Sequence, residues 1–268
     1  MAITTLDGAL AGMQYPREFA KAVTGTMVAG RPHSTFYLVG IPGAAVAPSP
    51  GIGGAVLTTY SGQIPFANPG AGNTYLSRFQ GQATQAGTLL LCDRLWHNSG
   101  ITITSTSLQS FTGSAQIPAR DATGTNAGVQ VYAGVEVSVA TGSGTPTLTL
   151  TYTNSSGTGS KTSTNTVATV ATSIAGTFYP IGLAAGDVGI QKADGITLSA
   201  TWTSGTIHVV LYRILARLEL TGANVPNAID ALTSGFTRLY DNTVPFIIFI
   251  PSTTTTSNIT GHVIWTQG

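Results

Sequence analysis

The chain has 268 residues, enough to bury a substantial core in one large β domain or two smaller ones. Only 8% of residues are charged, against about 25% in an ordinary soluble domain, yet 42% are apolar, which excludes the disordered class. A net charge of +1 without any basic cluster argues against a phosphate-tracking nucleic-acid surface. The most apolar run, VPFIIFI at 244–250, is far short of the ~20 residues that cross a bilayer.

Uncharged polar residues must therefore build the surface, and the 43 threonines fill that place. Threonine is β-branched, stiff at χ1 and suited to a pleated, half-buried surface. No charge stands between Pro32 and Ser77, only Glu136 and Lys161 between Ala122 and Gly186, and none after Asp241. Such bare runs predict surface covered by a partner; a surface solubilised by Thr and Ser alone is the alternative. The lone Cys92 rules out an intrachain disulfide framework and a cysteine zinc cage, and suits synthesis in a reducing cytoplasm. MAITTLDGALAGM has neither a basic n-region nor a long apolar h-region, so no signal peptide is expected.

In chain order, residues 15–23 are the best helix candidate of the N-terminal part. Pro16 stands in the first turn, Phe19 and Val23 share an i, i+4 face, and Gly25 stops the run. TFYLV at 35–39 reads as a short strand. The Pro- and Gly-rich segment 41–56 cannot be a regular element; its Ile41, Val46, Ile52 and Val56 predict an apolar arm rather than a solvated linker. Residues 57–82 continue loop-rich, with turn signals at Asn68-Pro69-Gly70 and Gly72-Asn73. Gly87 to His97 reads as a strand, and the alternating Ile101-Thr102-Ile103-Thr104 after Asn98-Ser99-Gly100 suggests a hairpin.

The pattern is clearest from 129 to 220. VQVYAGVEVSVA (129–140), PTLTLTYT (146–153) and ITLSATW (196–202) alternate as strands, with Gly- and Ser-rich turns between them. A Ser204-Gly205 turn then reverses the chain into TIHVVLYRILARLEL (206–220), the longest apolar stretch. A helical stripe of Leu211, Ile214, Leu215 and Leu218 is conceivable there, but the strand reading is preferred because the strand-like ITLSATW and Gly205 lead straight into it. With period two, His208, Val210, Tyr212, Ile214, Ala216, Leu218 and Leu220 share one face, and Arg213, Arg217 and Glu219 the other. A short helix over 226–232 and two terminal strands, 244–250 and 259–265, complete the reading. The fold class expected is mainly β: an antiparallel β-sandwich, jelly-roll-like, with a loop-rich N-terminal arm (1–86), a sandwich domain with a C-terminal hairpin (87–268), and one or two short helices.

No motif for chemistry stands out. G-x-S-x-G, H-E-x-x-H and the Walker lysine motif are absent, and the glycine clusters at 51–54 and 70–72 lack the dinucleotide-binding pattern. Cys92 and His97, five apart, fall on opposite strand faces and cannot readily share a proton; Cys92 reads as a buried structural thiol and His208 as a packed histidine. No catalytic, cofactor-binding or metal-binding residue is assigned. Paired carboxylates for glycoside hydrolysis would have to come from few acids, and the three tryptophans could serve sugar binding only if exposed.

Three phrases, PREFAKAVTGTMVAGRPHSTFYL, GTLLLCDRLWHNSGI and VPFIIFIPSTTTTSNITGHVIWTQG, resemble a group of tailed-bacteriophage virion structural proteins. The resemblance implies a non-enzymatic virion component, a head decoration or cement protein seated on the capsid lattice as a symmetric homo-oligomer, with a trimer favoured. It implies as partners the chain itself and the phage major capsid protein, with no nucleic acid or membrane, synthesis in the host cytoplasm and residence on the head surface. A tail, neck or fibre-base component and a carbohydrate-binding module are the alternatives. Ile41, Val46, Ile52, Arg213, Arg217, Glu219, Phe246 and Phe249 are the candidate subunit or capsid contacts.

Overall fold

A computed structural model describes residues 3–235 and 237–268. In chain order the elements are α1 (Leu6–Ala11), β1 (Arg17–Val23), β2 (His33–Ser34), β3 (Gly40–Ile41), β4 (Ala55–Val56), β5 (Thr74–Ala83) and β6 (Gly87–His97). Then follow β7 (Gln109–Ser110), β8 (Val131–Val139), β9 (Leu148–Asn154), β10 (Lys161–Thr164), β11 (Phe178–Ile181) and β12 (Ile190–Leu198). The chain closes with β13 (Thr206–Leu220), β14 (Asn227–Asp230), α2 (Ala231–Ser234), β15 (Arg238–Leu239), β16 (Pro245–Pro251) and β17 (Ser257–Gln267). The protein is mainly β, with antiparallel pairing and two short helices, as expected.

A seven-stranded sheet, β11-β8-β13-β6-β16-β2 with β4 beside β6, forms the spine. On one of its faces two shorter sheets lie side by side. The first is β10-β9-β12-β7, and the apolar cluster beneath it joins Val131, Val135, Ile207, Val209 and Leu211 to Leu148, Leu150, Ile196 and Leu198. The second is β14-β5-β17-β1-β3 with β15 beside β5; its cluster joins Leu89, Leu91, Leu218 and Phe249 to Phe19, Phe79, Val263 and Trp265. Each such buried side chain contributes roughly 1.5–3 kcal/mol of transfer free energy. A third cluster, with Leu90, Cys92, Val210, Tyr212, Phe246 and Ile248, occupies the opposite face of the spine and is closed by Phe36, Tyr37, Ala45 and Tyr60.

β13 spans both cores because two bulges rephase it against β6. Leu211 faces Trp96 and Tyr212 faces Arg94, leaving Leu95 unpaired; Ile214 faces Cys92 and Ala216 faces Leu91, leaving Leu215 unpaired. At each bulge two successive side chains, Leu95 with Trp96 and Leu215 with Ala216, turn to the same core. Ile207, Val209 and Leu211 therefore face the first core, whereas Leu218 and Leu220 face the second. A strict period of two breaks at Leu215, and the single-face assignment of the sequence breaks with it.

Several local expectations are corrected by tertiary pairing. Residues 17–23 are a strand, not a helix: Phe19, Lys21 and Val23 are buried in alternation, and the strand pairs with β17 from Arg17–Val263 to Val23–Ser257. The N-terminal helix lies earlier, over Leu6–Ala11, where the Thr5 side chain accepts from Gly8 N. Residues 35–39 form a turn, and β5 occupies part of the stretch read as loop. Within β5, Thr74 and Leu76 are buried and then Phe79, Gly81 and Ala83; a register shift against Ile264–Trp265 of β17 leaves Ser77 extra and hides the alternation.

Residues 101–104 form no hairpin, although Ile101 and Ile103 reach the first core. The Ser204-Gly205 turn carries the chain from one sheet to another rather than closing a hairpin, and β16 and β17 also lie in different sheets. In the segment read as a helix over 226–232, β14 precedes α2, which starts at the Asp230–Thr233 capping box. The 86/87 boundary is no break in pairing, since β1 and β5 flank β17 in one sheet.

Candidate functional site

Several buried ionisable groups gather in two clusters on opposite faces of the spine sheet. On the face covered by residues 33–64, Arg94 Nη1 of β6 lies 2.7 Å from Glu136 Oε2 of β8, and both side chains are fully buried. Arg94 Nη2 donates to Tyr37 Oη at 3.4 Å and Arg94 Nε to His97 Nδ1 at 3.3 Å. The guanidinium also lies 4.5 Å from the Phe36 ring centre. Burial pulls the Arg94 pKa down, but Glu136 and Tyr37 outweigh it and hold the guanidinium charged. His97 is pushed down to about 2, first by burial and then by Arg94 and His208, so it sits neutral and accepts through Nδ1. His208 is lowered by burial as well; its Nδ1 is 2.8 Å from Asn98 O and so donates, leaving Nε2 to accept from Ser138 Oγ at 2.8 Å. Burial, and then Glu136, raises the Tyr37 hydroxyl well above its usual range.

The second cluster sits on the other face, where Asp93 and Arg213 pair across β6 and β13. Arg120 grips Asp93 through two bonds, Nε to Oδ2 at 3.1 Å and Nη2 to Oδ1 at 3.2 Å. It also donates to Leu57 O at 2.8 Å, to Arg94 O at 3.1 Å and to Asn242 O. Val244 N donates to Asp93 Oδ1 at 2.8 Å. Arg213, which the sequence places on a polar face, is 4% exposed. It donates to Arg238 O at 2.9 Å and lies 5.2 Å from the Tyr240 ring centre. Burial lowers its pKa from the ordinary arginine value. This cluster staples the 57, 120 and 242 loops to the spine and offers no reacting atom to solvent.

The remaining expected contact residues separate into exposed and sealed groups. Ile41 and Val46 are 58% and 68% exposed, whereas Ile52 packs half-buried against the first core. The arm that carries them is tied down: Lys21 Nζ donates to Leu38 O at 2.9 Å and Pro42 O at 2.5 Å, and Tyr60 Oη donates to Val46 O at 3.1 Å. Arg217 and Glu219 are exposed and form a 2.5 Å ion pair with each other. Phe246 and Phe249 are buried inside the protein, on opposite faces of the spine. Cys92 is buried with its thiol pKa raised by burial; the bulge at Leu95 brings His97 to its face of the sheet, contrary to the simple alternation. Trp96, Trp202 and Trp265 are all buried, which leaves none of them as a sugar platform.

An open apolar groove escaped the sequence reading. Leu6 and Leu10 of α1, Met13 after it and Leu232 of α2 are all exposed. They border adjoining cavities of about 410 Å³ and 180 Å³ beside Tyr75 and Arg78. The signal was available as Leu6, Ala9, Leu10 and Met13, at i, i+3, i+4 and i+7. Among the described residues, no three His, Cys, Asp or Glu side chains converge as metal ligands, and no helix is long and apolar enough to cross a membrane.

No family model matches the chain, and no curated protein matches it. Among solved structures, the infectious bursal disease virus VP2 subviral particle aligns over 96% of this chain and 81% of that one, with 8% identity and a TM-score of 0.20. The structure of infectious bursal disease virus Gt strain aligns over 95% and 82%, with 10% identity and a TM-score of 0.21. Scores this low establish neither a shared fold nor a shared role.

Proposed function

We propose that this chain is a non-enzymatic virion structural protein, a head decoration or cement protein that binds the capsid shell of a tailed bacteriophage as a symmetric oligomer. The observation that carries the reading is the open apolar surface: Leu6, Leu10, Met13 and Leu232 rim one groove, while Val39, Ile41 and Val46 stand exposed on the arm. In a chain with only 8% charged residues, such surfaces call for cover by other subunits. The phrase-level resemblance to phage virion proteins supports a phage particle as the assembly. The densest clusters of ionisable side chains are sealed from solvent, which supports a structural reading over a catalytic one.

The test pairs solution mass with particle imaging. Light scattering of the purified chain is expected to report a closed oligomer, a trimer being favoured. Leu10→Asp combined with Leu232→Asp is expected to shift it to monomer without lowering the unfolding temperature. Particles assembled without the protein should show missing density on the head; heads unchanged in its absence overturn the decoration role. Copies in the hundreds per particle support it, and a single ring's worth of copies points instead to a neck or tail component.

A further inference from the structure

The loop after β1 and the loop before β11 border an open cavity of about 420 Å³, with Arg31 and His33 on one wall and Val170, Thr172 and Ile174 on the other. The walls are held by Phe178 N donating to Pro32 O at 2.9 Å and Ser34 N donating to Gly176 O at 2.7 Å. Thr172 adopts φ 55°, unusual for a β-branched residue, and Thr172 N donates to Gly142 O at 3.0 Å. Arg31 is 8% exposed and His33 2%. The Arg31 guanidinium makes one long bond, Nη2 to Ala168 O at 3.4 Å, while Arg31 Nε and His33 Nδ1 have no hydrogen-bond partner among the described residues.

The other buried arginines are better satisfied. Arg94 and Arg120 each face a carboxylate, and Arg213, though without an ion pair, donates to Asp121 O and Arg238 O and lies against the Tyr240 ring, whereas Arg31 has one long bond, no ion pair among the described residues and no acidic side chain lining its cavity. A buried cation with open donors and no counter-ion is costly, and an external anion removes that cost.

We propose that this cavity binds a monoanionic carboxylate, its charge met by the Arg31 guanidinium beside the His33 ring and its aliphatic part packed on Val28, Val170 and Ile174. Two observations favour this class over phosphate: the cavity offers a single full positive charge, and much of its wall is apolar. Burial, and then Arg31, pushes His33 down to about 4, so near neutral pH its ring adds no second charge. The inference stands apart from the oligomeric reading and does not need it.

The carboxylate could be a free small acid or an acidic side chain of another protein chain, and titration separates the two. Butyrate and a doubly capped glutamate are titrated into the full chain at constant ionic strength, following the His33 ring resonances by NMR, with inorganic phosphate and chloride as comparators. A saturable shift in the millimolar range is expected from at least one carboxylate, about tenfold weaker in Arg31→Gln. It should be lost in Val28→Trp, which fills the cavity and leaves Arg31 in place. Tighter binding of the capped glutamate supports a protein-borne ligand, and tighter binding of butyrate a free acid. The proposal is overturned by no saturable shift up to about 100 mM, by undiminished binding in Val28→Trp, or by phosphate binding more tightly than both carboxylates. If Arg31→Gln does not fold, Val28→Trp decides alone.

Discussion

The two buried ion pairs use adjacent residues of one strand in different ways. Asp93, facing the core side of β6, is held by a bidentate arginine and a backbone amide, and Arg120 in turn binds two carbonyls on separate loops, Leu57 O and Asn242 O, and Arg94 O of β6 itself. Arg94, facing the covered side, reaches Glu136 at 2.7 Å, yet Glu136 Oε1 has no hydrogen-bond partner among the described residues. Desolvation of a buried pair is offset only when the remaining donors and acceptors are also satisfied. The first pair is therefore a folding staple. The second orders an aromatic cover at a net cost or close to balance.

The largest expected effect comes from breaking the staple. Arg120→Ala leaves Asp93 buried without its counter-ion and should cost roughly 3–5 kcal/mol, read as the denaturant midpoint at constant slope. Either Arg94→Met or Glu136→Leu alone should also destabilise by a few kcal/mol, but the double substitution should recover most of that loss. A double mutant as unstable as the worse single would show that both pairs stabilise, and the contrast between them would go.

Acid should strain the buried histidines next. His33, His97 and His208 all have folded pKa values lowered by burial, to about 4 and about 2 for the first two. Below their ordinary value near 6.5 the unfolded chain takes up protons that the folded chain refuses, so stability is kept above that pH and lost as pH falls toward 4. His33 and His97 each cost about 1.4 kcal/mol per pH unit in that window. His97→Gln should flatten the pH dependence of unfolding between pH 6 and 4, by roughly that amount per unit. An unchanged slope would mean that His97 is protonated in the folded state.

The smallest effects separate two arginines of β13. Arg213→Ala should cost about 1–3 kcal/mol of folding stability, because two backbone carbonyls lose a buried donor. Arg217→Ala, which removes only an exposed ion pair, should change folding by less than about 1 kcal/mol. If both leave monomer stability alone yet weaken assembly, Arg213 is an interface residue, and its buried position would not hold in the free chain.

Some of this was legible along the chain. β6 and β13 have the ends the alternation marked, and the strand pattern of β8, β9, β16 and β17 survives. β1 and β5 were not legible for different reasons. Residues 17–23 carry helix-favouring types that pairing with β17 overrides, and the extra Ser77 interrupts the alternation of β5. The exposed stripe of α1 was legible in principle, but six residues are too few to stand out against a β-rich background. Arg31 and His33 lie two apart with no motif around them; their cavity exists only because the loop before β11 folds against them.

By itself the sequence determined the material: β-branched, charge-poor segments with Gly turns, which can satisfy their backbone only as antiparallel sheet. Tertiary structure alone decided which strands pair, which face each residue presents and which charges are buried. Alternation is a local property of successive residues. A single bulge, such as that at Leu215, exchanges the two faces for every residue after it, and its position is set by a partner strand more than a hundred residues away.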